Sequence, residues 1–327
     1  MRTPIRTLAR SLAMALLSLM PLLGTSAQAQ SFPSRAIKFV VPFGPGSGTD
    51  ITARYYAKHF QDLTGQPVIV ENRPGGNGFV AVRQVLSAPA DGHTIFIGSN
   101  STLAVNTAVL KDLPYDPVSD FAPLSLLMRS PALALVPSSS EHNTLQDFIS
   151  SARANPGKLN YGSGSAGYQL MAELFNQTAD VSTFHVPFNG GNETLTAVAS
   201  NVVELSFVEI TSAQALIKGE KIRALAIAAE TRSPTLPEVP TAIEAGLPNF
   251  TAYTWVAAMA PVETPKDIQN QLAQHFSTIA NMQETQDFYA NQGAEVGQAG
   301  AENLREFQRK DIELWKRVAT QAGIEPK

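Results

Sequence analysis

The sequence of 327 residues contains no cysteine, which excludes disulfides, thiolate chemistry and any Cys-based metal site. Stability must come from core packing, and a chain 44% hydrophobic and 16% charged is long enough to supply it. Basic excess is also missing, since the formal net charge is −4. Without Arg2, Arg6 and Arg10, 21 basic residues face 28 acidic ones, a formal charge of −7, so a nucleic-acid partner is not expected. The five histidines lie far apart with no His-x-x-x-His pair, so no metal site is expected. No Gly-x-Ser-x-Gly run is present, which counts against a serine hydrolase.

One apolar run stands out, Leu12 to Leu23, and it is too short to span a bilayer comfortably. It follows three arginines and precedes Ala27-Gln28-Ala29, the order of a secretory signal peptide. The expectation is residues 1–29 as signal peptide, cleavage before Gln30 and a periplasmic protein.

Beyond it, strand-like and helix-like segments alternate. Ala36–Val41 reads as a strand, runs into Pro42-Phe43-Gly44-Pro45-Gly46-Ser47-Gly48-Thr49-Asp50, and gives way to a helix that Gly65 stops. Pro67–Val70 and Thr94–Gly98 read as further strands, with a helix near 80–86 between them. A second set begins near Ala132–Val136, where Leu159-Asn160-Tyr161 passes through Gly162-Ser163-Gly164-Ser165-Ala166-Gly167 into another helix. Such alternation predicts an α/β fold with a largely parallel sheet. The prolines at 234, 237, 240 and 248 predict irregular chain. Thr264-Pro265 predicts a helix with Thr264 as N-cap, and a final helix is expected over 301–322 with Leu304, Phe307, Trp315 and Val318 buried.

Two strand-to-loop-to-helix junctions carry the chemistry. Glycine-rich loops at helix N-termini expose unpaired N–H groups at the positive end of the helix dipole, a ready anion site. Neither loop holds Lys, Arg or His, so binding would rest on dipoles, the hydroxyls of Ser47, Ser163 and Ser165, and bridging water. Two loops suit the two ends of a small dicarboxylate, or one carboxylate and a polar tail. The rival reading is a dinucleotide fold. It fits poorly: Thr49 stands where the fingerprint requires its third glycine, and Asp50 would repel a pyrophosphate. No cofactor is expected. Asp50 has two readings, a water-mediated ligand contact and a cap on its own helix, and the second is favoured. Glu209 either recognises an amine on the ligand or sits in solvent.

Six segments are together more specific. Val41 to Asp50, Glu71-Asn72-Arg73-Pro74-Gly75, Leu113-Pro114-Tyr115-Asp116-Pro117, Asn160-Tyr161-Gly162-Ser163, Val186-Pro187-Phe188-Asn189-Gly190-Gly191 and Leu236-Pro237-Glu238-Val239-Pro240-Thr241 stand in one order. With them the chain resembles, from about Ser31 to Ile324, the periplasmic solute-binding proteins of tripartite tricarboxylate transporters, often called Bug proteins. The resemblance implies a two-domain periplasmic-binding-protein-like fold of type II, closing like a Venus flytrap. Domain 1 would take 30–130, domain 2 131–250, and the chain would return to domain 1 over 251–327. It implies a non-catalytic monomeric receptor that delivers a small carboxylate (di- or tricarboxylate, acidic amino acid or aromatic acid) to the subunits of a membrane permease. A receptor for a signalling kinase and an exported α/β enzyme are the alternatives.

Carried over by position, the ligand-binding residues would be Phe43, Gly44, Pro45, Gly46, Ser47, Asp50, Ser99 and Asn100 in domain 1. In domain 2 they would be Ser163, Gly164, Ser165, Ala166, Gly167, Tyr168, Phe188, Asn189, Gly190, Gly191 and Glu209. Ser47 replaces a usual glycine, Gln169 stands where a histidine often does, Val208 takes a frequently acidic position, and the second loop is about two residues short. Tyr168 puts bulk at a helix start usually built from small residues, which predicts a smaller or differently oriented ligand.

Overall fold

Ile37, Phe39, Val40 and Val41 have no exposed surface, and Ile37–Val41 forms strand β1 at the centre of a parallel trio. Its neighbours are β2 (Val68–Asn72) and β3 (Thr94–Ser99). Helices α1 (Gly48–Thr64) and α2 (Phe79–Leu86) make the two crossovers, as parallel pairing requires. The structure, a computed structural model, describes residues 32–298 and 300–326. The expected signal segment lies outside the described residues.

After β3 the chain makes a π-turn over Ser101–Val105 and a short helix α3 (Asn106–Val109). It then enters β4 (Phe121–Pro137), a strand of 17 residues. The sequence marks a strand only near Ala132, because Pro123, Arg129 and Pro131 interrupt the apolar pattern upstream. The structure accommodates part of this with register shifts between Pro123 and Ser125 and between Leu126 and Met128. β4 pairs over Phe121 to Pro131 with β9 (Tyr253–Pro261), and from Ala132 onward with β7 (Leu205–Glu209) and β8 (Ile222–Ile227). It therefore leaves one half of the sheet and enters the other.

The second half adds β5 (Asn160–Ser163), β6 (Phe184–Pro187) and helices α4 (Leu145–Ala154), α5 (Ala166–Ala179), α6 (Gly191–Ala199) and α7 (Ile210–Lys218). β5 lies parallel to both β6 and β7. The path β2-β1-β3-β9-β4-β7-β5-β6 joins the halves through the antiparallel β9–β4–β7 centre. Between Ile227 and Tyr253 the proline-rich stretch makes only an isolated bridge, Ile227 to Thr241.

The chain returns to the first half with α8 (Lys266–Ala280), α9 (Gln283–Asn291), β10 (Glu295–Val296) and α10 (Ala301–Gln321). Phe276 of α8 stacks on Phe39 of β1, with ring centroids 5.7 Å apart. In α10, Leu304, Trp315 and Val318 are buried as the spacing predicts, joined by Ile312 and Gln308, while Phe307 is half-buried. Thr264 is not the N-cap of α8. Pro265 holds that position, no side chain caps the helix, and the buried Thr264 hydroxyl has no hydrogen-bond partner among the described residues. Pro265 sets the helix entry one residue later than expected, where Thr264 faces the core.

Candidate functional site

The first anion-site loop is held by its own side chains. Ser47 caps α1, its Oγ accepting the Asp50 N–H at 3.2 Å. Asp50 reaches back and accepts from Gly46 N at 2.9 Å, Arg54 Nε at 3.0 Å and Asn72 Nδ2 at 2.8 Å. Burial pushes the Asp50 carboxyl up, but these donors and the Arg54 charge outweigh it and hold the group below its ordinary value. Asp50 thus shapes the loop ahead of α1 and does not line the cavity described below, while the cap of α1 is Ser47. The N–H groups of Gly48 and Thr49, the first two of α1, find no acceptor among the described residues.

The second loop leaves β5 at Ser163 and reaches Ser165, whose Oγ caps α5 by accepting the Tyr168 N–H at 3.4 Å. Ser163 Oγ and His185 Nε2 share a hydrogen bond at 2.7 Å, and His185 stacks on Tyr161. Tyr168 lays its ring against Gly191 and donates its hydroxyl to Glu209. Burial and the adjacent carboxylate push the Tyr168 hydroxyl well up, so it stays protonated and acts as the donor. Ser212 Oγ is the second donor to Glu209. Glu209 ends β7 and is 2% exposed, so it does not sit in solvent. A strand terminus buried under the opposite half is a position that sequence does not reveal.

The two loops converge. A cavity of about 30 Å³ is lined from the first half by Phe43, Ser47, Gly48, Thr49, Ser99, Asn100 and Ser101, and from the second by Ser165, Tyr168, Gly191 and Glu209. Its floor is Met128 of β4 with Thr254, Trp255 and Val256 of β9. That volume holds about two water molecules. An adjoining cleft of about 320 Å³ is bordered by Gly164, Ala166, Phe188 and Asn189. Ser163 faces a groove of about 790 Å³ further out. Gly44, Pro45, Gly46, Gly167 and Gly190 line neither the cavity nor the cleft and serve the surrounding backbone. No Lys, Arg or His lines the cavity. Ser99 Oγ and Asn100 Nδ2 are buried without a partner among the described residues.

Each helix start is met by a group from the opposite half. Gly167 N donates to Ser101 Oγ at 3.2 Å, and Ser101 Oγ donates to Ser165 Oγ at 3.2 Å. A Cβ on Gly48 would stand 2.4 Å from Glu209 Oε1, and one on Gly167 would stand 2.7 Å from Ser101 Oγ. Only glycine permits approaches this close. At the rim, Asn192 Nδ2 donates to Pro45 O at 2.9 Å. Sequence reasoning misses Gly48, Thr49, Ser101, Met128, Asn192 and the β9 residues. Ser101 had a signal, the polar run Ser99-Asn100-Ser101-Thr102 at a strand end; Thr254 to Val256 had none, because their place depends on a return strand about 150 residues later in the chain.

No helix among the described residues is long and apolar enough to cross a membrane, and among them no cluster of His, Asp or Glu is arranged to hold a metal. A family profile described as "Tripartite tricarboxylate transporter family receptor" matches residues 52–324. Protein BugT of Bordetella pertussis is 31% identical over 302 residues, covering 91% of this chain and 93% of its own. The fold is similar to that of a Rhodopseudomonas palustris protein solved with adipate, 32% identical, TM-score 0.88, covering 90% of this chain and 100% of that one. It is also similar to MatC of the same organism with bound malate, 32% identical, TM-score 0.83, covering 88% and 99%.

Proposed function

We propose that this chain, which belongs to the tripartite tricarboxylate transporter receptor family, captures a small organic acid between the two halves of its sheet and delivers it to a membrane permease. The observation that carries this reading is the convergence of the α1 start, the β3 end and the α5 start on one cavity bearing unpartnered donors. Adipate and malate in similar proteins support a carboxylate as the guest. The receptor acts outside the cytoplasm as a monomer, after removal of residues 1–29, and performs no catalysis.

The lobes divide where β4 changes partners, near residue 131, and the chain rejoins the first lobe at about residue 251. Since the cavity holds no more than about two waters, a ligand enters only when the lobes part and replaces the Ser101 contacts as they shut. Gly48 N, Thr49 N, Ser99 Oγ and Asn100 Nδ2 receive a carboxylate. Hydrogen bonds to a charged group contribute about 1.5–3 kcal/mol each. Roughly four of them exceed the ~4 kcal/mol or more lost on immobilising a ligand. The bulk of Tyr168 at the second helix start keeps the guest small.

Thermal-shift and calorimetric titration of the purified protein with mono-, di- and tricarboxylates tests this. Saturable binding of an acid recovered unchanged is expected. Conversion of that acid would replace the reading with an exported enzyme. Binding that supports phosphorylation of a sensor kinase, without permease-dependent uptake, would move the receptor to signalling.

A further inference from the structure

Leu113-Pro114-Tyr115-Asp116-Pro117, one of the six segments that carry the family resemblance, lines neither the cavity nor the cleft. It stands beside the π-turn Ser101–Val105, which joins the polar end of β3 to α3. Turns of this kind are rare and recur at functional positions. This one closes with the Asn106 N–H donating to Ser101 O, five residues back. Ser99, Asn100 and Ser101, at and just before its start, are buried and line the cavity.

Side chains from distant parts of the chain hold the turn. Tyr115 donates its hydroxyl to Thr102 O at 2.8 Å and accepts from Asn106 Nδ2 at 2.9 Å, and the same Nδ2 donates to Asn77 O at 2.9 Å. Burial pushes the Tyr115 phenol up, so it remains a donor at neutral pH. Gln308 of α10 has no exposed surface, and its Nε2 donates to Leu103 O and to Pro117 O, both at 2.8 Å. Its Oε1 accepts from Arg305 at 3.1 Å, which fixes the amide's orientation. Gln308 therefore ties the turn to the segment that carries Tyr115. Gly78 packs on the turn as well, since a Cβ there would stand 2.3 Å from Thr102 Cγ2. Within the frame, Thr102 Oγ1 accepts the Ser99 N–H at 3.1 Å.

Tyr115 and Gln308 do not line the cavity, and what they grip is backbone one and two residues beyond Ser101. A turn held before the ligand arrives spares binding the cost of ordering it.

We propose that Tyr115 and Gln308 are positioning residues for ligand capture: by holding Thr102 O and Leu103 O they set the π-turn so that Ser99 Oγ and Asn100 Nδ2 face the cavity before the acid enters. This rests on the capture reading and adds to it two residues that do not touch the guest.

Tyr115→Phe keeps the ring and removes one hydroxyl. With the acid that binds the wild type most tightly, calorimetry is expected to show Kd raised about tenfold, the worth of one such hydrogen bond. Hydrogen–deuterium exchange is expected to quicken over residues 99–106 and to stay unchanged in the second half of the sheet. Gln308→Met, which removes the donors to Leu103 O and Pro117 O, should do the same, and it decides by the same two measurements if Tyr115→Phe does not fold. Thr144→Ala, at the cap of α4, should lose stability with Kd and turn exchange unaltered. A Kd within about twofold of wild type in either folded variant overturns the proposal, as does a raised Kd with unchanged exchange at the turn. If neither variant folds, the pair supports the structure alone and the proposal falls. If the wild type binds no acid of the carboxylate panel, the capture reading itself fails and takes this proposal with it.

Discussion

Replacing Gly48 with alanine should leave the protein folded and remove most of its affinity for an acid. Gly48 is the first residue of α1, and alanine is favoured over glycine in helices by up to about 1 kcal/mol, so the substitution does not weaken its own lobe. Its Cβ, however, would lie 2.4 Å from Glu209 Oε1 and 3.2 Å from Cδ, an overlap of about 1 Å against ordinary contact distances. Either Glu209 withdraws from Tyr168 and Ser212, or the lobes stop short of closure. Losing two hydrogen bonds to a charged group costs about 3–6 kcal/mol. At 1.4 kcal/mol per factor of ten, Kd should rise roughly 100-fold or more. Calorimetry with the tightest-binding acid measures the affinity, and small-angle scattering with and without ligand measures the compaction. A Gly48→Ala protein that binds within threefold of wild type and compacts equally would refute the claim that closure brings Glu209 onto the start of α1.

Asp50→Asn removes the charge that gathers Gly46, Arg54 and Asn72, and urea titration at pH 7 should show a loss of about 2–3 kcal/mol. Because the Asp50 carboxyl is held below its ordinary 3.8, its contribution is present above that pH and lost below it. The two stability curves should therefore converge in acid; curves that stay parallel would contradict this. Asp311 shows the opposite sign: burial raises it to about 6, only partly offset by the Trp255 indole, which donates to it at 2.8 Å. The folded protein takes this proton first, so stability falls as pH rises from 3.8 to about 6. The effect is about 1–3 kcal/mol, given that the side chain is half-buried. Asp311→Asn should flatten that slope in melts run between pH 4 and 7. Thr144→Ala breaks the capping box with Asp147 at the start of α4 and should cost about 1 kcal/mol in the same urea assay.

Where local chemistry decides, residues read in isolation predict the structure well. β1, β2 and β3 fall within a residue or two of their apolar runs. Gly65, in the left-handed conformation, ends α1 as expected. Ser47 and Ser165, expected as ligand hydroxyls, cap their helices, because a hydroxyl one turn ahead of an apolar stripe has N–H groups within reach. These are interactions between residues a few positions apart, and sequence spacing encodes them.

Pairing over long separations is different. β4 carries prolines that argue against a long strand, yet β9 and β7 complete its ladders from more than 70 residues away. Thr254 and Trp255 reach the cavity by the same return. From its neighbours Glu209 reads equally as a ligand contact or a solvent-facing strand end, and only closure over α1 makes it a buried carboxylate facing Gly48. The sequence by itself determined the glycine loops and the alternation of strands and helices, because those depend on spacing along the chain. Tertiary structure alone decided that the loops face one another and that an acid sits between them, because distance in space is set by how the two halves of the sheet meet.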